Sequence, residues 1–354
     1  MVIYMLQFYL CFKTVPLLLI LLLANHPVVA ANEWYKVNPQ GFKEDAVPVT
    51  IEFPSWFKRS FLDIREDLSE AKQAGKLGVV LFLSTPHCSY CKAFLDFTLS
   101  DPGIQRDLKR NFDVIGVEVI SNNPITDANG KTWTMKQFAA AQKAYVTPTL
   151  IFLRHDGKAM LRIVGYYPPE KFRAVMDYVL KAHYERESFS AFLARTKITG
   201  EAGPLIRDTE LFASPPYVLD RRAGAARRPL LVLLERANCA SCTAFHRNVL
   251  NSPPIRALVK KYQAAQIDMD DAQSTIVIPS GERLSPKQWA ERLELAYAPA
   301  LVFFDERGQE VYRLDSELLR ERTEGSLQLV LEKGYLEEPQ LQRWRNLKGR
   351  YRAP

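Results

Sequence analysis

The tetrapeptide Cys88-Ser89-Tyr90-Cys91 returns as Cys239-Ala240-Ser241-Cys242, an offset of 239 − 88 = 151 positions, and no gap is needed to carry that offset on to Tyr184 and Tyr335. It relates Pro102 to Pro253, Ile104 to Ile255, Gly130 to Gly281, Phe138 to Trp289, Ala139 to Ala290, Pro148 to Pro299, Gly157 to Gly308 and Arg162 to Arg313. A period this long holds a complete hydrophobic core, so the chain reads as two copies of one domain and not as a short-period solenoid. The length of 354 residues fits two domains of ordinary size. The expected boundaries are a leader at 1–30, a first copy at 45–186, a linker at 187–208, a second copy at 209–337 and a basic tail at 338–354. The linker is placed by the polar stretch around Gly200, Gly203 and Pro204.

Within each copy, strand and helix signals alternate. Gly78 to Ser84 and Pro229 to Leu234 are short unbroken apolar runs, the mark of strands buried on both faces, and each runs into its cysteine pair. A helix is expected from Cys88 to Ser100, stopped by Asp101-Pro102, and its counterpart from Cys242 to Leu250 is stopped by Ser252-Pro253-Pro254. A strand at Val114 to Ile120 matches one near Ala265 to Met269. Helices follow at Thr134 to Ala144 and Ser285 to Ala296, with Ser285-Pro286 as cap and first turn. Pro148 and Pro299 each lead directly into a strand. Asp156-Gly157 and Arg307-Gly308 then turn hairpins, and last helices run over Pro169 to Tyr184 and Leu318 to Tyr335. The order predicts an α/β fold in which each copy is a central mixed sheet flanked by helices. Phe138, Trp289, Tyr166 and Tyr167 are expected to pack in cores rather than bind a ligand.

The amino terminus bears on compartment. Val15 to Ala24 is apolar, follows Lys13, and is succeeded by Val28-Val29-Ala30, which sets small residues where a signal peptide is cut before Ala31. The expectation is therefore a secreted, periplasmic chain; an uncleaved anchor over Val2 to Leu23 is the alternative. No later segment is apolar enough to span a membrane. Removal of residues 1–30 deletes Cys11, and every cysteine left belongs to a C-x-x-C pair. So few cysteines cannot make a disulfide scaffold, which turns attention to their chemistry. The formal charge of +7 would admit nucleic acid, anionic lipid or acidic proteins as partners. An exported chain rarely meets nucleic acid, however, and a solvated loop around Arg221, Arg222, Arg227 and Arg228 and a solvated tail with Arg343 and Arg345 account for the excess.

A C-x-x-C at a strand-to-helix junction in each half, with a proline 60 positions after its first cysteine (148 − 88 and 299 − 239), resembles the thioredoxin superfamily. The long spacing, Ser89-Tyr90 between the cysteines, and Gly165-Tyr166-Tyr167-Pro168-Pro169 resemble the secreted SoxW-type and DsbC-like catalytic domains. The resemblance implies two tandem thioredoxin-like domains in which Pro148 and Pro299 are cis beside the cysteines. Thr147, Pro148, Ala298 and Pro299 are then the substrate-binding platform. It implies a thiol:disulfide oxidoreductase, a reductase or isomerase of exported proteins, needing no cofactor or metal and recharged by a membrane thiol donor. A cysteine in the first turn of a helix meets unpaired N–H groups and the positive end of the dipole, which favour the thiolate. Cys88 and Cys239 are therefore the attacking sulfurs, and Cys91 and Cys242 resolve the mixed disulfide.

Departures from the common pattern bear on these roles. His87 and Asn238 stand where tryptophan usually precedes the first cysteine. Phe82 and Leu233 stand where many relatives carry a buried acid, a function Glu235 is placed to take over in the second copy. His87, when protonated, would tune the Cys88 thiolate. The first copy carries the fuller redox pattern, and the second is expected to be weaker or scaffold-like. Competing readings are purely structural disulfides, one zinc held by four cysteines, and a client-binding or copper-handling module that uses the same folds.

Overall fold

The computed structural model describes residues 50–196, 204–295 and 297–349. The expected leader, its anchor alternative and Cys11 lie outside the described residues. In the first copy, Asp63 caps the helix Ile64–Gln73 (α1), its carboxylate accepting the N–H groups of Arg65 and Glu66. The chain then enters the fully buried strand Gly78–Ser84 (β1). Ser89–Ala93 (α2) carries the cysteines and widens at Phe94–Thr98, where the Leu99 N–H reaches back to the Phe94 carbonyl at 2.9 Å. Pro102–Asn111 (α3), Phe112–Glu118 (β2), the ribbon Pro124–Thr126 (β3) with Thr132–Thr134 (β4), and Met135–Ala141 (α4) follow. Thr149–Arg154 (β5), Ala159–Val164 (β6) and Pro169–Leu180 (α5) complete the unit.

The sheet order is β2-β1-β5-β6, with β1 and β2 parallel and the other pairs antiparallel. The strand period of two divides β1 between two apolar layers. Val80 and Phe82 meet Phe94, Phe152 and Phe172 on one side. Val79, Leu81 and Leu83 meet Ile64, Leu68 and Phe138 on the other.

The second copy repeats this plan after Phe189–Thr196 (α6). Leu230–Glu235 (β7), Ala240–Phe245 (α7), Pro253–Val259 (α8), Gln263–Asp268 (β8), the short Ile276–Val277 (β9) and Arg283–Leu284 (β10), and Pro286–Arg292 (α9) come first. Ala300–Phe304 (β11), Glu310–Leu314 (β12), Arg320–Leu331 (α10) and Leu341–Leu347 (α11) come last. Its sheet runs β12-β11-β7-β8, the first order mirrored in name and identical in topology. Backbone detail repeats as well: His87 and Asn238, Lys143 and Glu294, and Ala182 and Lys333 each have positive φ, at the same offset as the cysteines. No helix of the described residues is long and apolar enough to cross a membrane.

The fold class is the expected one; α1, and α3 and α8 between each cysteine helix and the next strand, are helices that the sequence reading does not contain, and further differences lie at the edges. The last helices stop at Leu180 and Leu331, each closed by a left-handed residue and a short turn. The expected linker opens with α6, because Phe189 and Phe192, three residues apart, bury against Tyr178 in the first core. The expected solvated tail likewise contains α11: Leu341 and Trp344 pack into the second core, Trp344 with no exposed surface. Arg343 pairs with Glu338 and Arg345 with Glu321, so these cations belong to a docked helix and not to a loose tail. Arg221 is also buried, bonded to Gln263 at 3.0 Å.

The two copies join through equivalent surfaces. At Gly165 an added Cβ would stand 1.9 Å from Ser316 Oγ, and Ser316 is the residue at the same place in the second copy. Next to them the Glu317 N–H meets the Tyr166 carbonyl at 3.4 Å, again a pair of equivalent positions. Tyr297 and Leu319 of the second copy enter the first core, while Val146 and Val164 of the first enter the second. A surface that contacts its own repeat in this way has the logic of a two-fold dimer interface built within one chain.

Candidate functional site

Each cysteine pair sits where its central strand hands over to a helix. The buried strands β1 and β7 fix the loops His87-Cys88 and Asn238-Cys239, and Cys88 and Cys239 cap the helices that follow. The Cys91 N–H points at Cys88 Sγ at 3.0 Å, and the Cys242 N–H at Cys239 Sγ at 3.0 Å. A sulfur that receives a backbone N–H at a helix start is the one whose anion is favoured. Both pairs are closed as disulfides. The Thr147-Pro148 and Ala298-Pro299 bonds are cis. Thr147 Oγ1 stands 3.4 Å from Cys88 Sγ, and Cys239 Sγ stands 3.6 Å from the Ala298 carbonyl. The structure therefore brings Cys88, Cys91, Thr147 and Pro148 together at one site, and Cys239, Cys242, Ala298 and Pro299 at the other. His87 is exposed and lines the pocket beside Cys88. Among the described residues, no group of three or more His, Cys, Asp or Glu side chains is arranged to hold a metal ion.

The front of the first site is covered by the second domain. Arg322 of α10 donates to the Thr147 carbonyl at 2.7 Å, and its guanidinium lies 3.2 Å from the centre of the Tyr90 ring. Gln342 of α11 donates to the Pro86 carbonyl at 2.6 Å and accepts from the Thr85 hydroxyl. Thr85 in turn bonds Thr147 at 3.1 Å. What is left over Cys88 is a pocket of about 80 Å³, and Cys88 itself is only 5% exposed.

The second site meets the first domain at the equivalent place, but less completely. Lys171 occupies the position equivalent to Arg322, since 322 − 171 is again 151. Its ammonium donates to Ser241 Oγ at 2.9 Å and lies 3.6 Å from the Tyr297 ring centre. Burial pulls its pKa down from 10.5 to about 8, against the pull of Glu317 and Glu170. Glu317 accepts from the Tyr297 hydroxyl, and burial pushes its carboxyl pKa up. Asn238 and Ala240 are nevertheless exposed, and Cys239 is half-buried where Cys88 is buried.

Behind the sulfurs the two sites differ in kind. Glu235, with no exposed surface, holds His246 Nε2 at 2.9 Å and accepts from Gln266 Nε2 at 2.6 Å. Its other carboxylate oxygen, Oε1, has no hydrogen-bond partner. His246 follows Cys242 by one helical turn and lines the same small pocket. At the equivalent places the first copy has Ser84, Leu95 and Ile115. A carboxylate–imidazole pair beside Cys242 can take up the proton a resolving thiol gives up; the first site offers no such pair. Sequence reading had singled out Glu235 but missed His246, Gln266, Arg322, Gln342 and Lys171. The repeat could have supplied part of this, because two cations recur at 171 and 322.

A family profile described as thioredoxin-like domain matches residues 64–180 and again 220–331. No curated protein matches the chain. Among solved structures, a thioredoxin from Thermus thermophilus is 27% identical over 33% of this chain and 84% of its own, with a TM-score of 0.27. A thioredoxin-fold protein from Helicobacter pylori is 14% identical over 40% of this chain and 92% of its own, with a TM-score of 0.35. The C-terminal domain of Neisseria meningitidis DsbD in its reduced form is 20% identical over 32% and 88%, with a TM-score of 0.23. With one profile match in each half and together covering most of its length, the chain belongs to the thioredoxin-like family.

Proposed function

We propose that the chain is a periplasmic thiol:disulfide oxidoreductase, a reductase or isomerase of exported proteins that works through two C-x-x-C sites. The observation that carries this reading is the placement of each first cysteine, which caps a helix and receives a backbone N–H at 3.0 Å beside a cis-proline loop. In the reduced state Cys88 or Cys239 attacks one sulfur of a client disulfide, and the other client sulfur leaves as a thiolate. Cys91 or Cys242 then attacks the first cysteine, the second client thiol is released, and two electrons have passed from the dithiol to the client. His87, next to Cys88, stabilises that thiolate when protonated. The Thr147-Pro148 and Ala298-Pro299 loops form the face on which a substrate lies. A membrane thiol donor returns the two electrons, as continued reduction in an oxidising compartment requires.

Insulin reduction driven by a dithiol tests the activity. The expected result is precipitation of the insulin B chain by the intact protein and none when all four cysteines are replaced by serine. If that four-serine chain instead protects a client from aggregation as well as the intact chain does, and the intact chain reduces nothing, the protein is a client-binding module. Recovery of scrambled ribonuclease separates isomerase from reductase. Cell fractionation checks the compartment.

A further inference from the structure

We infer that the second domain makes the Cys88 site selective for low-molecular-weight disulfides, with Arg322 and Gln342 as the residues that keep polypeptides out. This inference rests on the redox reading above and narrows it, leaving exported proteins to the Cys239 site and assigning small disulfides to the Cys88 site. An extended polypeptide laid beside a disulfide is held by main-chain hydrogen bonds, which need free backbone acceptors along the receiving loop. In the first site that acceptor is taken: the Thr147 carbonyl already receives Arg322 at 2.7 Å, while Gln342 ties down the Pro86 carbonyl and Thr85. The Arg322 guanidinium also lies over the ring of Tyr90, inside the C-x-x-C itself. The remaining space of about 80 Å³ has room for on the order of six water positions. An extended chain would have to displace Arg322 and Gln342 before it could lie along this loop. The second site carries a lighter cover, Lys171 on Ser241: Ala298 and Cys239 are half-buried, and the Ala298 carbonyl faces Cys239.

The step balances with glutathione disulfide as oxidant. The Cys88 thiolate attacks one glutathione sulfur and expels a glutathione thiolate. Cys91 then attacks Cys88, closes the protein disulfide and releases the second glutathione thiolate. Two full-length chains isolate the sites, one with Cys239→Ser and Cys242→Ser and the other with Cys88→Ser and Cys91→Ser. Each is reduced and exposed to glutathione disulfide or to insulin, and oxidation of its remaining pair is followed by peptide-resolved alkylation. The insulin-to-glutathione rate ratio should be at least tenfold lower at Cys88 than at Cys239. Arg322→Ala and Gln342→Ala, made separately in the first chain, should each raise the Cys88 ratio severalfold. Because both rates come from one preparation, the ratio does not depend on the fraction of chain that folds. Equal ratios at the two sites, or a Cys88 ratio that neither substitution moves, would overturn the selectivity while leaving the redox reading intact. A Cys88 that neither disulfide oxidises would overturn the selectivity, and a Cys239 equally inert would sink the redox reading with it.

Discussion

The two redox sites share a backbone and differ in what surrounds it. At the first, apolar side chains stand behind the sulfurs and the partner domain closes over the front. At the second, the front is open at Asn238, Cys239 and Ala240, and a Glu235–His246–Gln266 cluster fills the back. The fold is equal in both, so it does not by itself set reactivity. On the inference above, a neighbour sets which client can approach, and three residues that the repeat did not preserve offer the second site a proton acceptor.

The sharpest way to break this comparison is to remove one nucleophile at a time. Cys239→Ser should abolish most of the insulin reduction, because the less buried cysteine is expected to carry the polypeptide reaction. Cys88→Ser should leave most of it. The reverse pattern, measured as initial rates of insulin turbidity, would show that the buried site handles polypeptides and that cover seen in the folded chain does not govern access.

How much of this could be read in advance follows a physical line. The repeat, both sheets and the four cysteines are local features: runs such as Gly78 to Ser84 declare a buried strand, and Asp101-Pro102 declares where a helix stops. Cys88, Cys91, Pro148 and their counterparts follow from spacing along one copy. Arg322 and Gln342 do not. Their importance arises only when one copy is laid on the other, and a contact between residues 175 positions apart, as between Arg322 and Thr147, leaves no periodic trace. The same holds for α11, where a basic stretch hides Leu341 and Trp344, two apolar residues that dock it. Charge suggested a solvated tail, and burial of a single indole outweighs that preference.

Trp344 offers the next largest effect and sharpens the contrast at the first site. It has no exposed surface and anchors the helix that carries Gln342 and Arg345 over Cys88. Trp344→Ala should lower unfolding stability by about 3–5 kcal/mol in denaturant titrations, the usual cost of emptying a buried aromatic site. Under native conditions it should also speed alkylation of reduced Cys88 while leaving Cys239 unchanged. Equal acceleration at both cysteines would mean general loosening of the chain and not removal of a cover.

Glu235 tests the back of the second site. Glu235→Gln keeps the shape and removes the base, so resolution by Cys242 should slow on the order of 10²-fold, the lower end for loss of a positioned proton acceptor. Rapid quenching should then trap the mixed disulfide at Cys239. Ser84→Ala at the equivalent place in the first copy should do nothing of the kind. If Glu235→Gln resolves as fast as the intact chain, the buried pair is structural and the two sites differ in access alone.

The smallest effect separates the two cations that cross between the copies. Burial holds the Lys171 ammonium at about 8 instead of its ordinary 10.5. Between those values the unfolded chain binds the proton that the folded chain has lost, so stability rises with pH through that window; below pH 8 both states are protonated and the cost of the buried charge is present in full. Lys171→Met should remove this rise, seen as a flatter dependence of the urea midpoint on pH from 8 to 10.5. An arginine keeps its charge throughout that range, so Arg322→Met should shift the midpoint without changing its slope. A slope altered by both substitutions would place the titration elsewhere at the interface, while a slope altered by Lys171→Met alone assigns the titration to the amine that crosses to Ser241.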